Sequence, residues 1–256
     1  MSSNYDSFYS EQYQGSVYAH VCEMEAHPYY SELKSWLSAH PDTKKLKFLE
    51  VGSGRGALQD VVPDYTGLDY AGTVAGKYHK PFYSASASDM PFENNTFDVV
   101  WSFAVWEHIP EPEKAFEETV RVLKDGGHFL FCPAWHCRPW AAGGYQVRPY
   151  SDFGLGGKIY KFFIPFLNTT PMLMLRFLPV KIATLTDTRT GQPLRYRKLK
   201  ANYEHFWQSD SDACNSLDPF PVIRWFTSRG HECVTYPSEK AQFLARHGTI
   251  EFIIHK

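Results

Sequence analysis

The sequence predicts an α/β fold, a doubly wound and mostly parallel sheet that closes with an antiparallel final strand. Three observations carry this. The segment from Lys47 to Val51 is a short apolar strand with acidic Glu50 inside it, and it runs into Gly52, Gly54 and Gly56 at alternate positions. Glycine lets the chain turn tightly and lets a ligand approach the backbone, as in the strand-to-helix turns that cradle nucleotide-type cofactors. Phe97–Phe103 is an apolar-rich run of the kind that fills a buried parallel strand. An amphipathic stretch from Glu111 to Leu123 follows, and then a strand from His128 to Cys132. Strand, helix and strand at this repeat length imply parallel pairing through crossover helices.

The remaining elements follow in order. Leu33, Trp36 and Leu37 fall at helical spacing, so a helix precedes the first strand. A short helix is expected from Ala57 to Val62, cut off by Pro63. Strands are expected from Tyr65 to Asp69 and from Tyr83 to Ala87, with a short helix from Thr73 to His79 between them. Asp125-Gly126-Gly127 is expected to stop the Glu111–Leu123 helix. From Ala134 to about Leu217 the α/β pattern fails, and the stretch is rich in aromatics, proline and arginine. Regularity returns with a helix from Pro221 to Arg229 and strands from His231 to Tyr236 and from Thr249 to His255. The chain reads as one domain over 1–256, with an N-terminal arm and helix over 1–44 and an insert over 134–217.

Length and charge narrow the function. With 256 residues, 43% of them hydrophobic, the chain can bury one α/β core with an elaborated insert. A net charge of −2 argues against a general nucleic-acid binder. The five cysteines have no repeated CxxC spacing, which suits a reducing compartment, and a cytoplasmic location is expected. Phe162 to Ala183 is apolar, but Pro165, Pro171 and Pro179 interrupt it and Asn168, Arg176 and Lys181 lie inside it. It reads as short helices of a lid or an interfacial surface, not as a spanning helix. No transmembrane segment is expected, and peripheral membrane contact stays open.

A carboxylate beside the glycine loop suits a cationic ammonium group and repels a pyrophosphate. Here the sequence resembles the class I S-adenosylmethionine-dependent methyltransferases, whose first motif is an acidic residue, one apolar residue and Gly-x-Gly-x-Gly. The resemblance extends over roughly residues 45 to 135. It includes Asp69 at the end of the second strand, Ser88-Asp89-Met90-Pro91-Phe92, Trp106-Glu107-His108-Ile109-Pro110, and Arg121-Val122-Leu123-Lys124-Asp125-Gly126-Gly127. It implies a Rossmann-like methyltransferase fold with S-adenosyl-L-methionine as cofactor. The implied cofactor contacts are Glu50, Gly52, Ser53, Gly54 and Gly56 in the loop, Asp69 and Tyr70 at the ribose, Asp89 and Met90 at the adenine, and Phe103. Asp69 suits the ribose because a carboxylate can accept from both hydroxyls. The implied reaction is methyl transfer, with oxygen of a small molecule or glycan as the favoured acceptor. The stretch from Ser209 to Cys214 resembles methyltransferases of polysaccharide assembly.

For a hydroxyl acceptor the expected general base is His108, which follows the strand whose end faces the transferred methyl in this family. Histidine titrates near pH 6.5, so it can take a proton at cellular pH. His136 is the second candidate. The insert is expected to form a substrate lid, with Trp106, Arg195 and Arg197 at the acceptor. Between Arg176 and Lys200 seven basic residues face one acid, Asp187, so an anionic acceptor group is expected.

Other readings remain. Gly52, Gly54 and Ala57 also satisfy the dinucleotide fingerprint, and Tyr196 and Lys200 form a Tyr-x-x-x-Lys pair, as in an NAD(P)-dependent oxidoreductase. A methyltransferase-like module that binds without catalysis is the third reading. Cys132, His136 and Cys137 lie close in sequence but lack a fourth zinc ligand, so no metal is expected.

Overall fold

The computed structural model describes Tyr5, Ser7–Tyr9 and residues 23–256. Cys22 and most of the N-terminal arm therefore lie outside the described residues. Strands β1 (Phe48–Val51), β2 (Tyr65–Asp69), β3 (Phe82–Ser84), β4 (Phe97–Phe103) and β5 (Leu123–Cys132) pair in parallel in the order β3-β2-β1-β4-β5. The sheet continues through β9 (Ile250–Ile253) to β8 (Glu232–Cys233), and both of these pairings are antiparallel. A separate short pair joins β6 (Arg197–Lys198) to β7 (Asn215–Ser216). The expected doubly wound sheet with its antiparallel close is thus present. Its order reverses between β1 and β4, and such sheets bind ligands in the crevice at the carboxyl ends of the strands flanking that point.

The two faces of the sheet carry separate cores. On one, Phe116, Val122, Trp225 and Phe226 from helices α2 (Pro112–Val122) and α5 (Pro219–Thr227) pack on Leu49, Val100, Phe129 and Phe252. On the other, Leu33 from helix α1 (Tyr30–Ala39) packs with Phe48, Tyr65, Val99 and Trp101. Alternation along β1 therefore sets Glu50 on the same face as Phe48, among aromatic rings.

Three local expectations are corrected. Ala57 to Val62 forms turns and bends, not a helix. Gly56 at φ +72° and Pro63 leave it too few residues for a stable helical nucleus. Helix α2 ends at Val122, before Asp125-Gly126-Gly127, because Leu123 is already extended and begins β5. The third strand is shorter than expected.

The insert holds two helices, α3 (Leu155–Leu167) and α4 (Thr170–Leu185), bent by 94° at the break between them. Helix α4 packs on α5, and Lys181 on it donates to the carbonyls of Phe243 (2.7 Å) and Ala245 (3.2 Å), beside helix α6 (Glu239–Leu244). The end of the insert lies against the loop after β4. Cys214 N donates to Glu107 O at 2.8 Å, and Asn215 Nδ2 donates to the carbonyls of Trp106 and Ile109. Among the described residues no single helix is long and apolar enough to cross a membrane.

Candidate cofactor site

Two cavities flank the turn after β1, and both are lined by Gly52 and Ala104. Gly52 sits at φ +74°, where side chains are disfavoured, and a Cβ there would lie 2.1 Å from Val105 Cγ2. The turn therefore brings its bare backbone against the loop that follows β4.

The first cavity, of about 190 Å³, is lined by Glu50, Ser53, Gly54, Phe103 and the His27–Tyr29 segment. Glu50 is buried, and Tyr65 Oη donates to its Oε2 at 2.5 Å. Burial raises the Glu50 carboxyl to about 7, against the lowering effect of Tyr65 and Trp101. Such a carboxylate regains its charge when a cation enters. Phe103 stacks on Tyr29 at 4.5 Å and forms the wall.

The second cavity is lined by Asp69, Tyr70, Ala85–Ala87, Val105, His108 and Ile109, with Tyr5 and Tyr9 from the arm. Asp69 accepts from Gly54 N at 2.8 Å and Ala71 N at 2.9 Å, and burial raises its pKa. The carboxylate thus both fixes the glycine loop and lines the cavity. Ser53 and Gly56 serve the loop itself. Tyr78 Oη donates to Ser53 Oγ at 2.8 Å, and a Cβ on Gly56 would meet the Tyr78 ring at 2.7 Å.

Several expected contacts lie elsewhere. Asp89 is exposed and does not line the cavity, where Ala85, Ser86 and Ala87 stand in its place. Met90 is buried in the core, with its amide donating to Glu118. Trp106 is fully buried, stacked on Phe116 at 5.2 Å with Nε1 donating to Pro112 O, so it is a core residue and not an acceptor contact. His136 bonds Asp218 at 2.8 Å and packs on Phe177, away from both cavities. Arg195 pairs with Asp187 at 2.6 Å, and Arg197 donates to Arg176 O at 3.0 Å. Neither arginine reaches the cavities, and Arg195 falls outside the strand that would have given both one face. Among the described residues the 134–217 insert lines neither cavity. It supplies a layer behind the arm, where Tyr9 Oη donates to Asp212 Oδ2 at 2.9 Å and Tyr5 packs edge-on against Tyr203. Sequence reasoning missed His27, Tyr29, Tyr5 and Tyr9, because an aromatic-rich polar arm carries no periodic signal.

His108 lines the second cavity, but its charge state differs from the expectation. Burial would lower its pKa. The Asp212 carboxylate, whose Oδ2 is 3.0 Å from Nδ1, outweighs that and, with Glu107 and Asp210, raises it to about 10. The ring therefore holds its proton at neutral pH and is not a free base. Glu107, His108 and Asp210 also bring ligand-type atoms within 4.8 Å of one another, a set that could take a divalent cation only with the ring deprotonated. The grouping forms only because the chain returns at Asp210, so spacing could not reveal it. Cys132 and Cys137 are separate thiols with backbone or tyrosine neighbours.

With this geometry in place, comparison with known proteins identifies the domain. Residues 49–131 match a family model described as a methyltransferase domain. Over those residues the chain is similar to methyltransferase domains. Tocopherol O-methyltransferase of Arabidopsis thaliana is 33% identical over 97 residues, which are 38% of this chain and 28% of that protein. Demethylmenaquinone methyltransferase of Clavibacter sepedonicus is 37% identical over 59 residues, 23% of this chain and 24% of that one. The chain thus spans about a quarter of the length of these relatives. The crystal structure of an S-adenosylmethionine-dependent methyltransferase from Mesorhizobium loti aligns with a TM-score of 0.50 at 11% identity, covering 90% of this chain and 99% of that one. That alignment shows the shared fold of the methyltransferase domain and its flanking elements. The alternative dehydrogenase pair gains nothing from the structure, since Tyr196 and Lys200 line neither cavity beside the loop.

Proposed function

We propose that the protein transfers the methyl group of S-adenosylmethionine to oxygen of a small molecule or glycan. The observation that carries the cofactor reading is the pair of buried carboxylates, Glu50 and Asp69, one in each cavity and on either side of Gly52. Such a mould matches a ligand with an ammonium at one end and a ribose diol at the other. A dinucleotide would bring its pyrophosphate against Glu50. The bound cofactor supplies an electrophilic methyl group; the chain's part is to hold it, exclude water and manage the acceptor's proton.

An oxygen acceptor fits a titratable pair set beside the cleft. A hydroxyl must lose its proton on methylation, and His108 with Asp212 forms a pair through which a proton can pass. Because the pair holds its proton up to about pH 10, turnover should climb as pH rises from 7 toward 10 if the deprotonated ring is the acceptor. A flat wild-type profile between pH 7 and 9, or the same slope kept in His108→Ala, would remove that role. The names of the relatives span oxygen, nitrogen and carbon acceptors, as in the sarcosine/dimethylglycine N-methyltransferase of Halorhodospira halochloris and the sterol 4-C-methyltransferase of Caenorhabditis elegans, so they do not choose among them. Isothermal titration tests the cofactor reading directly: S-adenosylhomocysteine should bind and NAD should not. Binding of NAD alone would reverse the assignment.

A further inference from the structure

Helices α3 and α4 are inside out. Leu155, Phe162, Phe166 and Leu175 are 78%, 69%, 56% and 59% exposed, and Ile159 and Leu178 lie open beside them. Three of the four charged side chains of the same helices turn inward: Lys161 donates to Arg148 O at 2.8 Å, Arg176 to Cys137 O at 3.0 Å, and Lys181 to Phe243 O at 2.7 Å. A helix pair facing water would do the reverse. A continuous apolar face of this kind marks an interaction surface.

The face is too short to span a bilayer. Helix α3 has 13 residues and α4 has 16, or roughly 20 and 24 Å at 1.5 Å per residue, and the 94° bend prevents their acting as one rod. It is the right size to lie in an interface. Its charge surroundings select the partner. The sequence holds no Asp or Glu between Asp152 and Asp187. Lys158 on the hairpin is exposed, and so are Arg138 and Arg197. Both arginines lie close enough to Arg176 to depress its pKa, after the larger effect of burial. A two-fold pairing of this face with a second copy would set its basic flank against itself, which costs energy. An anionic headgroup layer meets both needs, with phosphates at the basic flank and acyl chains under the phenylalanines.

We propose that the α3–α4 hairpin seats the protein on an anionic membrane, with its apolar face sunk into one leaflet. The reading is independent of the methyl-transfer proposal. The test is sedimentation of the full chain with vesicles of phosphatidylcholine alone and of phosphatidylcholine with phosphatidylglycerol. The wild type should sediment with the anionic vesicles and far less with the neutral ones. Phe162→Glu with Leu175→Glu should lower partitioning at least tenfold while the melting temperature and circular dichroism stay at the wild-type values. Arg138→Gln with Arg197→Gln should erase most of the difference between the two vesicle types. The wild type remaining in the supernatant with both vesicle types would overturn the proposal. A dimer by analytical ultracentrifugation, lost in the glutamate variant, would then assign the face to a second copy. Should the glutamate variant not fold, the wild-type result still decides.

Discussion

Helix α2 and the α3–α4 hairpin follow the same rule of apolar burial with opposite outcomes. Helix α2 turns Ala115, Phe116, Thr119 and Val122 onto the sheet and leaves Lys114 and Glu117 in water. The hairpin holds Lys161, Lys181 and Arg176 against backbone carbonyls and leaves Phe162, Phe163 and Phe166 outside. Helix α2 finds its apolar partners within the chain, so its fold is complete. The hairpin's outer face stays exposed among the described residues. The first half of the molecule is therefore organised around the cofactor cleft, and the insert around a surface.

The sharpest way to break this comparison is to truncate one phenylalanine in the first region. Phe116 is fully buried, with Trp106 at 5.2 Å and Trp225 at 5.3 Å. Phe116→Ala leaves a cavity under the sheet and should cost ~3–5 kcal/mol of unfolding free energy in denaturant melts. A loss below ~1 kcal/mol would mean that α2 is not held by that packing.

The next effect lies at the cleft. Asp69→Ala removes the carboxylate that the proposed function sets against the ribose. It also frees Gly54 N, which Asp69 now holds at 2.8 Å. Hydrogen bonds to charged groups are worth ~1.5–3 kcal/mol, so affinity for S-adenosylhomocysteine should fall by ~10- to 100-fold. Unchanged affinity by calorimetry would sink the ribose assignment. A substitution on the hairpin's outer face should leave this affinity untouched.

The same comparison shows what the sequence could tell. Strands β1, β2, β4 and β5 and helix α2 were legible because period and punctuation agree there: apolar runs, glycines after β1 and a polar outer face on α2. The placement of Glu50, Gly52 and Asp69 beside the two cavities was legible because it depends on local position along strand and turn. Asp89, Trp106 and Arg195 were misplaced because their surroundings depend on packing. Trp106 faces the core instead of the cleft, and Arg195 finds Asp187 nearby before it could reach an acceptor. The arm residues Tyr5 and Tyr9 and the Asp212 partner of His108 were invisible because they join the site through contacts across most of the chain. The hairpin's apolar character was plain, but its sidedness was not, since an apolar helix reads the same whether it faces core or lipid.

A milder test separates the two carboxylates of the cleft. Burial raises Glu50 to about 7, so in the free protein it is protonated below that pH and ionised above it. The ligand's ammonium pairs with the ionised form. Affinity should therefore be full above about pH 7.5 and fall about tenfold by pH 6, since one pH unit below the pKa leaves about a tenth of the group ionised. Glu50→Gln should bind weakly and without this slope. The same shift bears on stability. The folded state keeps this proton at a pH where the unfolded chain, with a pKa near 4.5, has lost it, so Glu50 makes the apo fold less stable as pH rises from 4.5 to 7. A pH-independent affinity over 6 to 8 in the wild type would mean that Glu50 does not meet the ammonium.

The smallest effect belongs to the hairpin, and its smallness is the point. Phe162 is 69% exposed and meets only Phe163 among ring partners of the described residues. Phe162→Ser removes a large apolar group from water and not from a core, so no cavity forms. Stability in dilute buffer should stay within ~0.5 kcal/mol of the wild type, as for most surface substitutions. Set against ~3–5 kcal/mol for the buried Phe116, that tests whether the two phenylalanines answer to different surroundings. A loss of more than ~1 kcal/mol in detergent-free buffer would show that Phe162 packs on the protein itself, and the contrast between the two regions would collapse into ordinary core packing.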